Sequence, residues 1–107
     1  MSQLQEIQTE MFSHGDKMIE MAEIFGALAS DCRLEIIYLL LRIESLPSGE
    51  IARLTNCTPS QVSQNLAKMH ATGLVKKKRT WREIEYSLDQ TDPFVQAIVN
   101  LLQIHLK

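Results

Sequence analysis

The sequence predicts a mainly α, α+β fold of the winged helix-turn-helix class, with about five helices and a two-stranded β-hairpin wing. Three patterns predict it. Residues 48–72 read as two short helices around a tight turn, residues 74–88 follow as a basic hairpin, and apolar helices lie at both ends. With 107 residues, we expect one domain with one core, spanning residues 1–107.

The first predicted element is one long helix over residues 1–28. Its apolar residues recur at alternating spacings of three and four from Leu4 to Leu28, and this heptad-like seam continues through Gly15. The seam is more than one small domain needs to cover itself, so we expect it to contribute to a dimer interface. His14 lies on the same line and is interpreted as a core or interface histidine, with a ligand or pH sensor as the alternative.

A central, mostly apolar helix is predicted next. Ser30 and Asp31 provide its cap, and it runs from Cys32 to about Ile43. Arg33 in its first turn is expected to tie the cap to a neighbouring carboxylate rather than to touch DNA.

The helix-turn-helix is predicted from its caps. Ser48 is expected to cap the first helix. Thr58 and Gln61 form a capping box for the second, with Pro59 at its first position, and Gly73 ends it as a left-handed C-cap.

The second of these helices has two different faces. Val62, Leu66 and Met69 recur at helical spacing and are expected to be buried. The opposite face carries hydroxyl and amide groups, which are the donors and acceptors that discriminate base edges in a major groove. The predicted DNA contacts of this helix are Thr58, Ser60, Gln61, Ser63, Gln64 and Lys68.

The hairpin is predicted to supply the remaining DNA contacts. The net charge of −2 divides unevenly, because residues 1–50 hold 3 basic and 9 acidic side chains and residues 51–107 hold 8 basic and 4 acidic. This asymmetry gives one positive face for phosphates, although a solvated hairpin is the alternative. Phosphate or minor-groove contacts are predicted for Lys77, Arg79 and Arg82.

The tip and the end of the hairpin carry two further expectations. No glycine lies between Thr80 and Arg82, so a primed two-residue turn is not expected and the tip should be longer or differently shaped. Trp81 is expected to pack on the hairpin base, with an exposed position beside DNA as the alternative. The last helix, residues 92–106, starts at Asp92 and has an apolar stripe that can complete the dimer interface.

A set of short segments occurs in a characteristic order and spacing over about residues 20–102, namely 25–31, 33–36, 49–52, 61–66, 72–75 and 86–88. Together these segments resemble the ArsR/SmtB-type winged-helix repressors of bacteria and archaea. The resemblance implies a homodimer paired through the first and last helices that binds a double-stranded DNA operator, an inverted repeat, and leaves it when a metal, oxidant or other inducer binds.

The metal sites of the resembled family are not expected here. Its Cys-x-Cys pair would fall at Pro47 and Gly49, which cannot coordinate a metal. On the last helix Asp92 could supply one ligand, but Gln103 and Leu106 occupy the later histidine positions. We therefore predict no metal site and no cofactor.

Cys32 and Cys57 are the two cysteines. The simplest interpretation is a pair of reduced small hydrophobic residues, as is usual in the cytoplasm. The alternative is a redox or inducer site, in which the start of a helix favours the thiolate of Cys32 and oxidation near Cys57 disturbs the turn.

Catalysis is not predicted, because the sequence has no Gly-rich phosphate loop and no nucleophile paired with a base. Without a signal peptide or a membrane-length apolar run, we expect a cytoplasmic protein with no membrane partner. The sequence thus predicts a DNA-binding transcriptional regulator, with a winged-helix protein-interaction module that does not bind DNA as the alternative.

Overall fold

The computed structural model describes residues 2–106, apart from the side chains of Ala27 and Leu28. The predicted place of Met1 in the first helix and of the Leu28 side chain at the end of its seam therefore lie outside the described residues and side chains. Over the described range the chain forms α1 (Gln3–Ser13), α2 (Gly15–Leu28), α3 (Asp31–Arg42), β1 (Leu46–Pro47), α4 (Ser48–Leu54), α5 (Pro59–Ala71), β2 (Val75–Arg79), β3 (Ile84–Leu88) and α6 (Pro93–His105).

The prediction of a single helix over residues 1–28 is wrong, because α1 and α2 are separated at His14, which has φ −100° and ψ 16°. The His14 N–H donates to the Met11 carbonyl at 3.1 Å, which tightens the last turn of α1, and the Met18 N–H donates to the His14 carbonyl at 2.9 Å. Gly15 follows the break, where its conformational freedom weakens helix continuity. The apolar seam therefore crosses a one-residue interruption.

Helix α1 stands away from the rest of the protomer. Within the described chain, no side chain of α1 is buried, and Leu4, Ile7, Met11 and Phe12 are all exposed. His14 is exposed as well, so it does not lie in the core of its own protomer. The molecule is accordingly elongated, with extents of 61 × 32 × 25 Å.

The core lies between α3, the α4–α5 pair, the sheet and α6. Phe94 of α6 also meets Phe25 of α2 edge to face, with ring centroids 5.8 Å apart. The side chains that fill this core are Ile24, Ile36, Ile37, Leu40, Ile51, Cys57, Val62, Leu66, Met69, Leu74, Val75, Leu88, Val95 and Ile98.

The wing belongs to a three-stranded antiparallel sheet of order β1–β3–β2, rather than to a two-stranded hairpin. The added strand pairs Leu46 with Tyr86 and Pro47 with Glu85. This pairing also displaces the predicted cap of α4. Ser48 lies inside the helix, and Pro47 takes the N-cap position without a side-chain hydrogen bond, so the prediction for Ser48 is wrong.

Among residues 2–106, the helices are too short or too polar for any of them to cross a lipid bilayer.

Candidate nucleic-acid interface

Helix α5 begins and ends with the predicted caps. The Thr58 N–H donates to Gln61 Oε1 at 2.9 Å and the Gln61 N–H donates to Thr58 Oγ1 at 3.1 Å, which completes the capping box. At the other end Gly73 has φ +81°, and the Leu74 N–H donates to the Met69 carbonyl at 2.8 Å. A left-handed glycine combined with this backbone hydrogen bond is a Schellman motif at the C-terminus of α5. The motif fixes where α5 stops and the wing starts.

The two faces of α5 are separated as predicted. Val62, Leu66 and Met69 are fully buried against the core. The predicted contact residues of this helix and its cap are all exposed: Thr58, Ser60, Gln61, Ser63, Gln64 and Lys68. Because Gln61 Oε1 already accepts a hydrogen bond within the capping box, the Gln61 side chain presents its amide N–H groups rather than its oxygen.

Arg33 fixes α5 against α3 through a contact that differs from the prediction. Its Nε donates to Asn65 Oδ1 at 2.7 Å, and its Nη1 donates to the Gly26 carbonyl at 2.8 Å. The expected carboxylate partner is therefore wrong, since both acceptors are neutral. The guanidinium links α2, α3 and α5, and it holds the half-buried side of α5 in place.

A second contact holds the turn between α4 and α5. The Asn56 N–H donates to Glu35 Oε1 at 2.9 Å, which ties the turn to α3. Beside it Cys32 and Cys57 are joined by a disulfide, with their Cα atoms 5.9 Å apart. The expectation of two reduced cysteines is thus wrong for this structure. The Thr58 capping box is intact beside the bond.

The wing places two of its three predicted contacts, Lys77 and Arg79, on one sheet face. Strand β2 pairs with β3 so that the buried residues Val75 and Leu88 face each other. Lys77 and Arg79 follow Val75 at every second position and therefore share its face, but both are exposed beyond the edge of the core.

Two other basic residues near the interface are already paired. Lys76 Nζ lies 3.5 Å from Asp89 Oδ1. A hydrogen bond from the Thr91 hydroxyl is the main cause of the lowered pKa of Asp89, and Lys76 adds to it. In α4, the hydrogen bond between Arg53 and Glu50 at 2.7 Å raises the pKa of Arg53. These two cations are therefore less available to phosphates than Lys77 or Arg79.

The wing tip is closed by a threonine side chain. Thr80 Oγ1 accepts hydrogen bonds from the N–H groups of Arg82 and Glu83 at 3.3 and 3.1 Å. Its hydroxyl and its N–H both donate to the Glu83 carbonyl, at 2.9 and 2.8 Å. Within residues 2–106 only Gly73 has a positive φ, so the tip is not a primed turn, as predicted.

Trp81 at this tip is 90% exposed, so the expectation that it packs on the hairpin base is wrong. The guanidinium carbon of Arg82 lies over its ring at 5.0 Å from the centroid. Trp81 lies in the tip beyond the last strand pair, Arg79 with Ile84, and its ring is not packed against the hairpin base. The pair presents an apolar ring and a cation together.

A helix pair with an exposed polar second helix, followed by a basic hairpin, defines a winged helix-turn-helix protein. Residues 30–77 match the family described as bacterial regulatory protein, arsR family. The chain is 35% identical over 107 residues to the transcriptional repressor SmtB homolog of Synechocystis, covering 100% of this chain and 78% of that protein. The protein belongs to the ArsR family.

Solved structures agree with this assignment. NolR from Sinorhizobium fredii is 28% identical and superposes with a TM-score of 0.75, covering 87% of this chain and 91% of its own. The homodimeric winged helix-turn-helix DNA-binding domain of a possible ArsR-family regulator from Mycobacterium bovis is 27% identical. Its TM-score is 0.72, over 84% of this chain and 81% of that domain.

The metal sites implied by the family resemblance do not fit the residues present. Pro47 and Gly49 occupy β1 and α4 and offer no side-chain ligand. Asp92 Oδ1 accepts hydrogen bonds from the N–H groups of Phe94 and Val95 at 2.7 and 3.2 Å, so this carboxylate is used as the N-cap of α6. Among the described residues, no three His, Cys, Asp or Glu side chains converge on one point.

Sequence reasoning missed the two contacts that orient α5, although it found the polar face. Arg33 and Asn65 are 32 positions apart, and Glu35 and Asn56 are 21 positions apart. Such pairs carry no local periodicity or cap signal. The only available signal was Asn65 itself, an amide next to the buried Leu66 stripe.

Proposed function

We propose that the protein is a homodimeric, sequence-specific double-stranded-DNA-binding transcriptional regulator that acts as a repressor. The observation that carries the proposal is the exposed polar face of α5, capped at both ends, beside a wing with exposed cations. A helix of this kind fits a major groove, and the adjacent hairpin reaches the neighbouring backbone.

The base-reading role falls to the exposed side chains of the first two turns of α5. Ser60, Ser63 and Gln64 have exposed hydroxyl or amide groups that can donate to and accept from base edges. Thr58 and Gln61 use their oxygens in the capping box. Their role is therefore to hold the first turn against the DNA, with the Gln61 amide N–H groups as the remaining donors.

The positioning role falls to the cations. Lys68 is exposed on α5, and Lys77 and Arg79 are exposed on one face of the wing. Arg82 stands at the tip on the Trp81 ring. Contacts of this kind to phosphates, or to a minor groove, fix register and contribute affinity that falls with salt.

Dimerisation is part of the proposal because the chain leaves apolar faces uncovered. Met18 of α2 and Leu101 and Ile104 of α6 are exposed, as is the seam of α1. The homodimeric state of the Mycobacterium bovis domain supports the same assembly here. A two-fold axis would present two copies of α5, which calls for an operator that is an inverted repeat with half-sites about 34 Å apart.

The proposal includes no catalytic step, and a DNA target calls for a cytoplasmic location. Repression is supported by the relative matched over the whole chain, which is named a transcriptional repressor. Operator release would then require an inducer.

The decisive experiment selects duplexes from a randomised library of about 30 base pairs, long enough for two half-sites. Affinity for the selected duplex is then measured across a salt series. We expect an enriched inverted repeat and a steep loss of affinity with salt, in which each phosphate contact adds about 0.9 to the slope of log affinity against log salt.

Two variants provide the internal comparison. The double variant Lys77→Ala/Arg79→Ala should flatten the salt slope. Lys17→Ala, which removes an exposed cation paired with Glu20 on α2, should not change it. A protein-interaction module would enrich no sequence and show no such slope, and this result would overturn the proposal.

A further inference from the structure

Helix α5, the proposed recognition helix, and the turn before it are tied to α3 by two polar contacts and one covalent bond. The polar ties are Arg33 to Asn65 and Glu35 to Asn56. The covalent tie joins Cys32, in the first turn of α3, to Cys57 in the turn before α5. The bond closes a loop with a sequence separation of 25 that contains all of β1 and α4.

From this geometry we infer that Cys32 and Cys57 form a reversible thiol oxidation site, and that the disulfide form binds the operator more tightly than the dithiol form. The second half of the inference rests on the function proposed above.

The site is built for a bond that forms with little backbone movement. The Cα atoms of the two cysteines are 5.9 Å apart, inside the range of about 4.4–6.8 Å that disulfides span. Cys57 is only 8% exposed, whereas Cys32 is half-buried. A solvent oxidant therefore reaches the pair from the Cys32 side, and Cys57 is positioned as the resolving thiol.

The reaction balances with a low-molecular-weight disulfide such as oxidised glutathione as the oxidant. The Cys32 thiolate attacks one sulfur of glutathione disulfide, whose S–S bond breaks and releases one glutathione thiolate. The Cys57 thiolate then attacks Cys32 Sγ in the mixed disulfide and releases the second. Two electrons pass from the protein to the oxidant, and the two thiol protons end on two glutathione molecules.

The effect on DNA binding follows from what else holds the turn. Apart from the disulfide, the turn is held by the packing of Cys57 in the core and, among the described residues, by one long-range hydrogen bond to α3, from the Asn56 N–H to Glu35. The other hydrogen bonds of the turn are local, such as that from the Cys57 N–H to Thr55 Oγ1 at 3.4 Å. Ordering this turn on DNA opposes binding, and the disulfide orders it beforehand.

Because Thr58 directly follows Cys57, the ordering reaches the cap of α5 and the base-reading first turn. The phosphate-contacting cations of the wing lie on a different element. Oxidation is therefore expected to change affinity for the selected duplex without changing the number of phosphate contacts.

The first experiment counts thiols in the full-length protein. Reduced protein is treated with oxidised glutathione, and thiols are titrated after denaturation. We expect both thiols of each chain to be lost, a peptide pair containing Cys32 and Cys57 in the mass spectrum, and full recovery with dithiothreitol. Failure to lose the thiols, or a bond between two chains, overturns the inference.

The second experiment measures affinity of both forms for the duplex selected by the wild type. The disulfide form should bind about three- to tenfold more tightly, with parallel salt slopes. Cys32→Ser/Cys57→Ala, which has no thiol, should not respond to glutathione disulfide. Equal or weaker binding by the disulfide form overturns the inference.

The two proposals fail in different ways. A protein that retains no duplex in either form overturns the DNA-binding function together with the affinity difference, while the thiol count still decides whether the bond forms. If Cys57→Ala unfolds the chain, the comparison of oxidised and reduced wild type remains decisive, because it requires no substitution.

Discussion

Gly73 shows how one residue sets the angle between the recognition helix and the wing. Its φ of +81° is a conformation that L side chains adopt only with strain, and a Cβ built at this position meets no atom within 4 Å. Backbone strain is therefore the only penalty for adding a methyl group.

We predict that Gly73→Ala lowers the free energy of unfolding by about 1–2 kcal/mol, because alanine must occupy the left-handed region. Gly49→Ala is the matched control, since a Cβ there also meets nothing within 4 Å and no positive φ is present. Urea unfolding of both variants provides the measurement. Equal stability of the two variants would show that φ at Gly73 is not a constraint.

Gln64 and Arg82 separate the two kinds of DNA contact. Both side chains are exposed, one on the polar face of α5 and one at the wing tip. Gln64→Ala should cost about 1–3 kcal/mol of binding and relax base preference at one position of each half-site. Arg82→Ala should weaken all duplexes alike and flatten the salt slope.

Repeating the duplex selection with each variant tests this assignment. If Gln64→Ala recovers the wild-type sequence unchanged, then α5 presents a different face to the DNA than the one proposed.

At the scale of elements, the contact between α3 and α5 depends on a charged donor and a neutral acceptor. Arg33 donates to Asn65 at 2.7 Å from a half-buried position. Arg33→Met and Asn65→Ala should each destabilise the fold by about 1–3 kcal/mol, because each leaves a half-buried polar partner unpaired. The double variant should lose less than the sum of the two.

The exposed pair of Arg53 and Glu50 serves as the control for this double-mutant cycle. Arg53→Met removes a salt bridge of 2.7 Å at the surface of α4, and exposed pairs contribute little to stability because solvent screens their charges. Chemical denaturation measures all four variants. Additive losses at Arg33 and Asn65 would mean that the hydrogen bond contributes nothing to stability.

The elements also show what the sequence could establish. Local signals predicted α5 and its limits, because the Thr58–Gln61 box, Pro59 and Gly73 act within one turn of the helix. Strand β1 was missed because its two residues become a strand only by pairing with Tyr86 and Glu85, about 40 positions along the chain.

Dependence on residues far along the chain also explains which predictions about the site were wrong. The heptad seam reports which face is apolar, but it continues across the break at His14 and cannot reveal it. The pairing of Cys32 with Cys57 depends on how α3 meets the turn, which spacing alone does not encode. Trp81 is exposed at a tip beyond the last strand pair, Arg79 with Ile84, and the end of that pairing depends on the partner strand as well as on local residue types.

At the scale of the whole molecule, the apolar faces of α1, α2 and α6 predict an obligate partner. Leu101 is 57% exposed on α6. Leu101→Glu should dissociate the homodimer and weaken operator binding together, since one recognition helix then acts alone. Sedimentation at micromolar concentration provides the first readout, and affinity for the selected duplex provides the second.

Gln103→Glu is the control, because it adds the same charge on an exposed polar position of α6. A wild-type protein that sediments as a monomer at this concentration would contradict the dimer, whatever the behaviour of the variants.

The exposure of helix α1 has a consequence for how fast the protein is degraded in the cell. An 11-residue helix with no buried side chain is marginal in water by itself, so in a lone subunit this segment should be largely unwound. Unwound, exposed apolar segments are preferred entry points for proteases. We therefore expect single subunits to be cleared quickly, so that the pool of regulator is set by pairing and not by synthesis alone. A pulse-chase measurement would show this as a shorter half-life for Leu101→Glu than for Gln103→Glu, and equal half-lives would rule it out.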